Sequence, residues 1–276
     1  MNKRSTLLQR FIAAPYTVWA VLFIVIPLVM VAYYSFTDYD GNFTFDNIVS
    51  LTEPEYVSIF MRSVAYAFLS TIICLVIAFP LAYVISQSSP KTQKTAIMLT
   101  MLPMWTNLII RTYSLSNIIA NKGVINTLLA SLSLEIGIAD TPFAVILGMV
   151  YNYLPFMVLP IHTVISKLDK NIIEASQDLG CNKFMVISKI ILPLSKSGIV
   201  SGITMVFVPA ISTFYISQKL GGTSGRLIGQ EIEAAFMNSG DINFGSAISL
   251  ILMILIMLSI AIMNKFTDEE SGGMIL

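Results

Sequence analysis

The stretch Leu168-Asp-Lys-Asn-Ile-Ile-Glu-Ala-Ser-Gln-Asp-Leu-Gly180 separates two long apolar stretches and decides which kind of membrane protein this sequence encodes. It combines charged side chains with residues that begin and end helices. A plain connection between two membrane helices needs neither feature. We therefore interpret this stretch, called the charged segment below, as a surface that contacts a soluble partner.

Capping residues predict the local structure of the charged segment and of the residues after it. Asn171, with Glu174 three residues later, has the spacing of a capping box, and Gly180 favours a helix stop. Asn182 is suited to cap a second helix, which Pro193 ends or kinks. The prediction is a helix–turn–helix near the membrane surface. On spacing alone, a helix that only ties the neighbouring spans together explains the pattern equally well.

The composition is that of an integral membrane protein. The chain has 276 residues, of which 55% are hydrophobic and 12% charged, and its mean hydropathy is +0.79. Soluble domains carry roughly 25% charged residues. The net charge of zero gives no general attraction to nucleic acid. The two cysteines imply no disulfide framework.

Charge-free stretches predict six membrane spans, at residues 11–37, 63–90, 95–110, 141–166, 197–218 and 242–264. A helix needs roughly 20 residues to cross the bilayer core, and only the third stretch is shorter. The first stretch is too long for the apolar part of a signal peptide, so we expect an uncleaved helix. The predicted fold is an all-α membrane domain that comprises residues 1–276.

The distribution of lysine and arginine predicts the orientation, because these residues are enriched in cytoplasmic loops. One side of the predicted topology holds 11 of them, namely Lys3, Arg4, Arg10, Lys91, Lys94, Lys167, Lys170, Lys183, Lys189, Lys196 and Lys265. The other side holds 5, namely Arg62, Arg111, Lys122, Lys219 and Arg226. Both termini and the charged segment are therefore predicted to be cytoplasmic.

Three spans have polar residues at helical spacing. These are Thr100, Pro103, Asn107, Arg111 and Ser114 in the third, Gly148, Asn152, Pro155, His162 and Ser166 in the fourth, and Ser201, Thr204, Ser212 and Tyr215 in the fifth. Polar faces in lipid turn toward the bundle interior or a water-filled cavity. Small and hydroxyl residues also mediate helix packing, which is the reading we favour for Ser166, Ser201 and Thr204.

Several enzyme and transporter classes are excluded by missing motifs. The glycine-rich stretch 221–226 lacks the lysine and the spacing of a phosphate-binding loop, so the chain has no ATPase site of that type. One histidine and no H-E-x-x-H exclude a zinc intramembrane protease. No Asp or Glu lies inside a predicted span, so the usual relay of an ion-coupled transporter is missing. We expect no metal and no cofactor.

The run Glu174-Ala175-Ser176, with Leu179-Gly180 and the later Pro193, resembles the cytoplasmic EAA loop of ABC-importer permeases. Ser176 stands where that family has a second alanine. The resemblance implies the type I importer fold, in which this loop is a coupling helix that docks on a separate ATPase. Its docking residues here are Glu174, Ala175, Ser176, Leu179 and Gly180. It also implies a second permease subunit, a cytoplasmic ATPase dimer that uses the ATP, and an extracytoplasmic binding protein. The core permease domain then covers about 60–266, and span 11–37 is an N-terminal extra helix.

Further stretches resemble the subgroup that imports spermidine and putrescine. They are Pro103-Met-Trp105-Thr-Asn107 with Arg111 and Tyr113, Leu168-Asp-Lys170, Val208-Pro-Ala210, Phe214-Tyr215, Gly221-Gly222 and Leu227-Ile-Gly229. The resemblance implies half of a polyamine pathway in a bacterial inner membrane. The pathway candidates are Trp105, Asn107, Tyr113, Asn152, Phe214 and Tyr215, whose aromatic members offer cation–π contacts.

Arg111 is the residue that fits a polycation pathway least. A conduit-facing arginine repels a polyamine, so we assign Arg111 to a structural pair or to the membrane interface. We interpret His162 as a packing or interfacial residue. Alternatives left open are an importer for an amino-acid derivative or an anion, and, from another class, a passive channel or a membrane scaffold.

Overall fold

The computed structural model describes residues 14–130, 137–222 and 225–271. Within these ranges the chain is mainly α-helical, and its only extended pairing is a bridge between Thr37 and Phe43. The all-α prediction is confirmed for this part of the chain. The predictions for residues 1–13 and 272–276, which include both termini and the start of the first span, concern residues outside the described ranges.

Thirteen helices of the described ranges are numbered here in chain order. They are α1 (Ala14–Ser35), α2 (Asp46–Ser50), α3 (Pro54–Ser86), α4 (Pro90–Met101), α5 (Leu108–Ile119), α6 (Val124–Ala130), α7 (Pro142–Ile165), α8 (Lys170–Asp178), α9 (Lys183–Leu194), α10 (Lys196–Ile211), α11 (Tyr215–Leu220), α12 (Ile228–Ala234) and α13 (Ile242–Ser271). The chain divides into two units, residues 14–57 with 231–255, and residues 58–230 with 256–271.

The first unit contains α1, the loop after it and the beginning of α13. Helix α1 widens into a π turn at Val21–Val25, which ends two residues before Pro27, a residue with no backbone N–H to donate. Asn243 ties α13 to the loop, since its Nδ2 donates to the Thr37 carbonyl at 2.6 Å. In that loop the backbone N–H of Asn42 donates to the Asp38 carboxylate at 2.8 Å, which lowers the pKa of this carboxyl.

Helix α7 lies at the centre of the second unit. Of its most apolar stretch of 18 residues, 67% is buried inside the protein. Thr141 caps its beginning by accepting a hydrogen bond from Ala144 N–H, and Ser166 is its C-terminal cap. These bounds agree with the predicted span 141–166. Ser63 connects α3 to the residues before α12, because its Oγ accepts from Ile228 N–H at 2.8 Å.

Helix α10 packs on α7 at backbone contact distance. A Cβ atom placed on Gly198 lies only 2.9 Å from the Pro160 carbonyl oxygen, and one on Gly202 lies 2.6 Å from Met157 Sδ. Any side chain larger than hydrogen therefore forces these helices apart. Helices α5 and α11 also contact α7, so four helices of the second unit meet there.

Two predicted spans are interrupted in the structure. The stretch 95–110 breaks after Met101 into a 3₁₀ turn at Leu102–Trp105 and two extended residues, and α5 starts only at Leu108. Pro103 lacks an N–H, and the Asn107 side chain accepts from Ile109 N–H at 2.7 Å, which starts the new helix. The prediction of one continuous polar face from Thr100 to Ser114 is therefore wrong, because these two residues lie on different helices.

The stretch 197–218 is broken in the same way. Helix α10 ends at Ile211, after Pro209, and α11 starts at Tyr215. Ser201 and Thr204 lie on α10, Ser212 is its C-terminal cap, and Tyr215 lies on the next helix. The predicted continuous face of the fifth span is wrong for this reason.

By length and hydropathy, four helices of the described chain can cross a membrane, at Ala14–Ser35, Pro54–Ser86, Pro142–Ile165 and Ile242–Lys265. Helices α9 and α10 together pass the same test but are bent by 71° at Ser195, which gives a fifth span if the pair is counted as one. The structure thus supports a multi-span membrane protein.

The α7–α10 contact predicts a large effect of a single methyl group. Gly198→Ala brings its Cβ against a backbone carbonyl that cannot rotate away, so we expect the unfolding free energy to fall by about 1–3 kcal/mol. Denaturant titration of the purified protein in detergent measures this. The control is Ser201→Ala, an exposed position on the same helix, which should change stability little. Equal stability of the two variants contradicts the close contact.

Candidate functional site

The charged segment forms helix α8, and its first turn is capped by Asp169. Asp169 is extended, and its Oδ1 accepts a hydrogen bond from Asn171 N–H at 3.0 Å. The predicted capping box with Asn171 at the cap is therefore wrong. The reason is that the helix starts one residue before Asn171, which leaves Glu174 outside the capping turn. The Glu174 side chain is exposed.

The end of α8 is a Schellman motif centred on Gly180. Gly180 has φ +86°, its N–H donates to the Gln177 carbonyl at 2.9 Å, and Cys181 N–H donates to the Ser176 carbonyl at 3.0 Å. The predicted stop at Gly180 is confirmed. No atom lies within 4 Å of a Cβ built on this glycine, so its backbone conformation alone explains the residue.

The second helix after the turn also begins as predicted. Asn182 Oδ1 accepts from Met185 N–H at 2.8 Å and caps α9. Helix α9 ends at Leu194, directly after Pro193, and the 71° bend at Ser195 leads into α10. The predicted helix–turn–helix and the break at Pro193 are confirmed.

Four of the five predicted docking residues are accessible. Glu174, Ala175, Leu179 and Gly180 are exposed, and Leu179 reaches 86% exposure. Ser176 lies on the inner side of α8 with 5% exposure, and its Oγ donates to the Ile173 carbonyl at 2.7 Å. Phe184, which sequence analysis did not place among the docking residues, is 76% exposed just beyond the turn. The tip of the helix–turn–helix thus presents apolar side chains next to a carboxylate.

Four of the six predicted pathway residues lie at the breaks between helices. Trp105 precedes the break before α5 and is 77% exposed, and Asn107 is used as the cap of α5. Phe214 and Tyr215 lie at the break between α10 and α11. Their local geometry follows from these helix interruptions. The absence of charged residues, from which the spans were predicted, does not reveal where a span is interrupted.

The structure brings Tyr113 of α5 together with α11. The Nζ atom of Lys219 lies over the Tyr113 ring, 4.8 Å from its centroid. Lys219 was not among the predicted site residues, because it is far from Tyr113 in sequence. The contact shows that the Tyr113 ring is accessible to a primary ammonium group.

Asn152 lies inside the helix packing. It is fully buried, and its Nδ2 donates to the Gly148 carbonyl at 2.9 Å and to Thr112 Oγ1 at 3.3 Å. Its Oδ1 has no hydrogen-bond partner. Within this chain, Asn152 therefore joins α7 to α5.

Arg111 and His162 carry buried nitrogen atoms that no group of the described chain satisfies. Nε and Nη1 of Arg111 have no hydrogen-bond partner, and neither has Nε2 of His162. His162 lines a cavity of about 430 Å³ with Gln93 and Lys94. The expected structural pair for Arg111 does not occupy these two donors. Among the described residues, no group of three His, Cys, Asp or Glu side chains is placed to hold a metal ion.

Comparison with known proteins identifies the family. The family described as "Binding-protein-dependent transport system inner membrane component" matches residues 2–269. A spermidine/putrescine transport system permease protein PotB of Haemophilus influenzae is 38% identical over 264 residues, which cover 91% of this chain and 92% of that protein. The protein of the same name from Escherichia coli is 38% identical over 245 residues, covering 86% and 89% of the two chains.

Solved structures share the fold at low sequence identity. A chain of a bacterial ABC transporter involved in alginate import superposes with a TM-score of 0.81 at 16% identity, covering 97% of this chain and 96% of that chain. A chain of the MetNI methionine ABC transporter gives a TM-score of 0.60 at 17% identity, covering 79% and 98%. These likenesses concern the fold alone, which is that of importer permeases.

The cap of α8 gives a local prediction. Asp169→Ala removes the acceptor for Asn171 N–H and should reduce the local stability of α8 by about 1 kcal/mol. Hydrogen exchange of the amides at 171–178 measures this as faster exchange. Asn171→Ala is the matched control and should leave exchange nearly unchanged, since its backbone N–H still reaches Asp169. A larger effect at Asn171 than at Asp169 contradicts the observed cap.

Proposed function

The chain belongs to the family of binding-protein-dependent transport system inner membrane components, and on that basis we propose that it is a permease subunit of an ATP-driven polyamine importer. The observation that carries this proposal is the identity of 37–38% to spermidine/putrescine permeases over most of both chains. The names of these relatives support spermidine and putrescine as the substrates.

In this proposal the chain crosses a bacterial inner membrane six times. Four spans are the long apolar helices, the α9–α10 pair is the fifth, and the interrupted pair α4–α5 is the remaining one. The core permease domain covers about 60–266, with span 11–37 as an extra N-terminal helix. Both termini and the charged segment face the cytoplasm, because most lysines and arginines lie on that side.

Coupling to a separate ATPase is assigned to α8 and the turn after it. The exposed Glu174, Ala175, Leu179 and Gly180 form the docking surface, and the buried Ser176 fixes its packing. Helix α9 connects this surface through the bend at Ser195 to α10, which touches α7 at backbone distance. A displacement of the docked helix therefore moves α10 and α7 together. The ATP is used by the partner, since this chain has no phosphate-binding loop.

The substrate path is assigned to the helix breaks near Trp105, Asn107, Phe214 and Tyr215 and to the ring of Tyr113. Cation–π contacts are worth about 0.5–2 kcal/mol each, which suits transit better than tight binding. Asn152 supports this path by holding α5 against α7. The partners are a second permease, a cytoplasmic ATPase dimer and an extracytoplasmic binding protein. A fold neighbour was solved with its substrate-bound periplasmic protein, which supports the last of these.

One observation favours a second candidate. The unsatisfied donors of Arg111 suit a carboxylate better than an ammonium group, so an importer for an anionic solute or an amino-acid derivative is the alternative.

The substrate is tested by reconstitution with the ATPase, the second permease and the binding protein. We expect vesicles to accumulate labelled spermidine only with ATP, and unlabelled putrescine to compete. Unlabelled amino acids and alginate oligosaccharides are the comparison solutes. Competition by these, but not by putrescine, supports the anion alternative. Accumulation to equilibrium without ATP identifies a passive channel instead.

The coupling surface gives a separate prediction. Gly180→Val forces a β-branched residue into a left-handed conformation, which should abolish binding-protein-stimulated ATPase activity while the subunits still co-purify. Gly180→Asn is the matched control, because Asn tolerates this conformation, and it should retain most of the stimulation. Both activities are measured as phosphate release by the reconstituted complex. Full stimulation of the Val variant rules out coupling through this turn.

A further inference from the structure

A polar cavity lies at the end of α7 that is remote from the charged segment. Its volume is about 210 Å³, and its polar side chains are those of Ser116, Asn121, Asp140 and Lys219. Helix α7 has 24 residues and is about 36 Å long, which separates this cavity from the docking surface by the thickness of a bilayer. The predicted orientation places the cavity at the external mouth.

The carboxylate of Asp140 is held in the cavity by an unusual backbone. Asp140 is the one residue other than glycine with positive φ in the described chain, at +59°. It packs against Gly222, which also has positive φ, and a Cβ atom on Gly222 lies 2.9 Å from Asp140 Cβ. Outliers of this kind persist where the surrounding structure fixes them, and they concentrate at ligand sites.

Asp140 is the acidic side chain in the lining of this cavity. In the described part of residues 58–230, the remaining acidic side chains are Asp169, Glu174 and Asp178, which all belong to the charged segment. The spans contain no Asp or Glu that can attract a cation. Among the described residues of the second unit, Asp140 is therefore the carboxylate at this end of the helices.

An ammonium group of this chain extends from the cavity to a neighbouring aromatic ring. Lys219 lines the cavity, and its Nζ lies 4.8 Å from the centre of the Tyr113 ring. A lysine side chain is a primary ammonium on a chain of methylene groups, which is also the structure of the end of a linear polyamine. The cavity lining thus combines a carboxylate with hydroxyl and amide groups, and Lys219 carries a primary ammonium group from this lining to the Tyr113 ring.

We propose that this cavity binds a terminal primary ammonium of the incoming polyamine, and that Lys219 is a tethered stand-in which the substrate displaces. The inference rests on the proposed function, since it names where that substrate is received. The substrate ammonium is attracted by Asp140 and repels Lys219, so Lys219 moves off the Tyr113 ring as the substrate arrives. A cation–π contact of this kind is weak enough to exchange without a large barrier.

The test uses the reconstituted importer and labelled spermidine at a concentration that limits uptake. Asp140→Asn keeps the shape of the side chain and its tolerance of positive φ but removes the charge, so initial uptake should fall about tenfold. Lys219→Gln removes the competing ammonium and should raise uptake above that of the unaltered protein. Lys122→Gln is the matched control, an exposed lysine of the same region that does not line the cavity, and it should leave uptake unchanged.

Opposite signs for the two variants are the decisive result. If Asp140 and Lys219 only form a structural pair, both variants lower uptake, and the proposal is overturned. Uptake equal to that of the unaltered importer in Asp140→Asn overturns it as well. If the unaltered importer accumulates no labelled polyamine, the proposed function itself fails.

Asp140→Gly is a control for a folding defect, because glycine adopts the left-handed backbone conformation and carries no carboxylate. It should match Asp140→Asn in uptake and co-purify with the ATPase. Failure of both Asp140 variants to assemble assigns Asp140 a structural role and contradicts the proposal.

Discussion

The contact between α7 and α10 is the constraint on which the second unit depends. Gly198 and Gly202 let the two helices approach until a single added methyl group meets a backbone carbonyl or a methionine sulfur. Lipid offers no hydrophobic driving force between helices, so such close van der Waals packing is what holds them together. Along the chain, the charged segment and α9 connect α7 to α10. In the proposed importer, a soluble partner that moves the segment therefore acts on a contact at backbone distance.

The breaks in the helices follow a second physical rule, which is that backbone groups need partners wherever water is scarce. Asn107 supplies an acceptor where α5 begins, Asn182 where α9 begins, and Gly180 allows two carbonyls of α8 to be satisfied. These three helix ends thus gain hydrogen bonds from residues of their own turn, whereas α11 begins without a side-chain cap at Phe214. At the capped break before α5, the chain exposes the aromatic side chain of Trp105.

Hydropathy and capping residues predicted the parts of the fold that depend on local sequence. The bounds of α7 and the stop at Gly180 follow from residues that act within their own turn. The interruption at 102–107 was missed, because an apolar 3₁₀ turn has the same hydropathy as a helix. Asn171 and Asp169 are both good caps, and only the backbone distinguishes them. The burial of Ser176 and the meeting of Tyr113 with Lys219 depend on tertiary packing, which one sequence does not encode locally.

The placement of acidic groups explains how a membrane path can select cations without retaining them. A carboxylate in the middle of the spans is costly to desolvate and binds a polycation tightly, which opposes release. A carboxylate at the mouth remains hydrated and still raises the local concentration of cations. In the proposed importer Asp140 holds such a position, and the proposed path beyond it offers aromatic faces and neutral polar groups. Selection by charge and passage through the membrane are then separate steps, so strong attraction at the first does not slow the second.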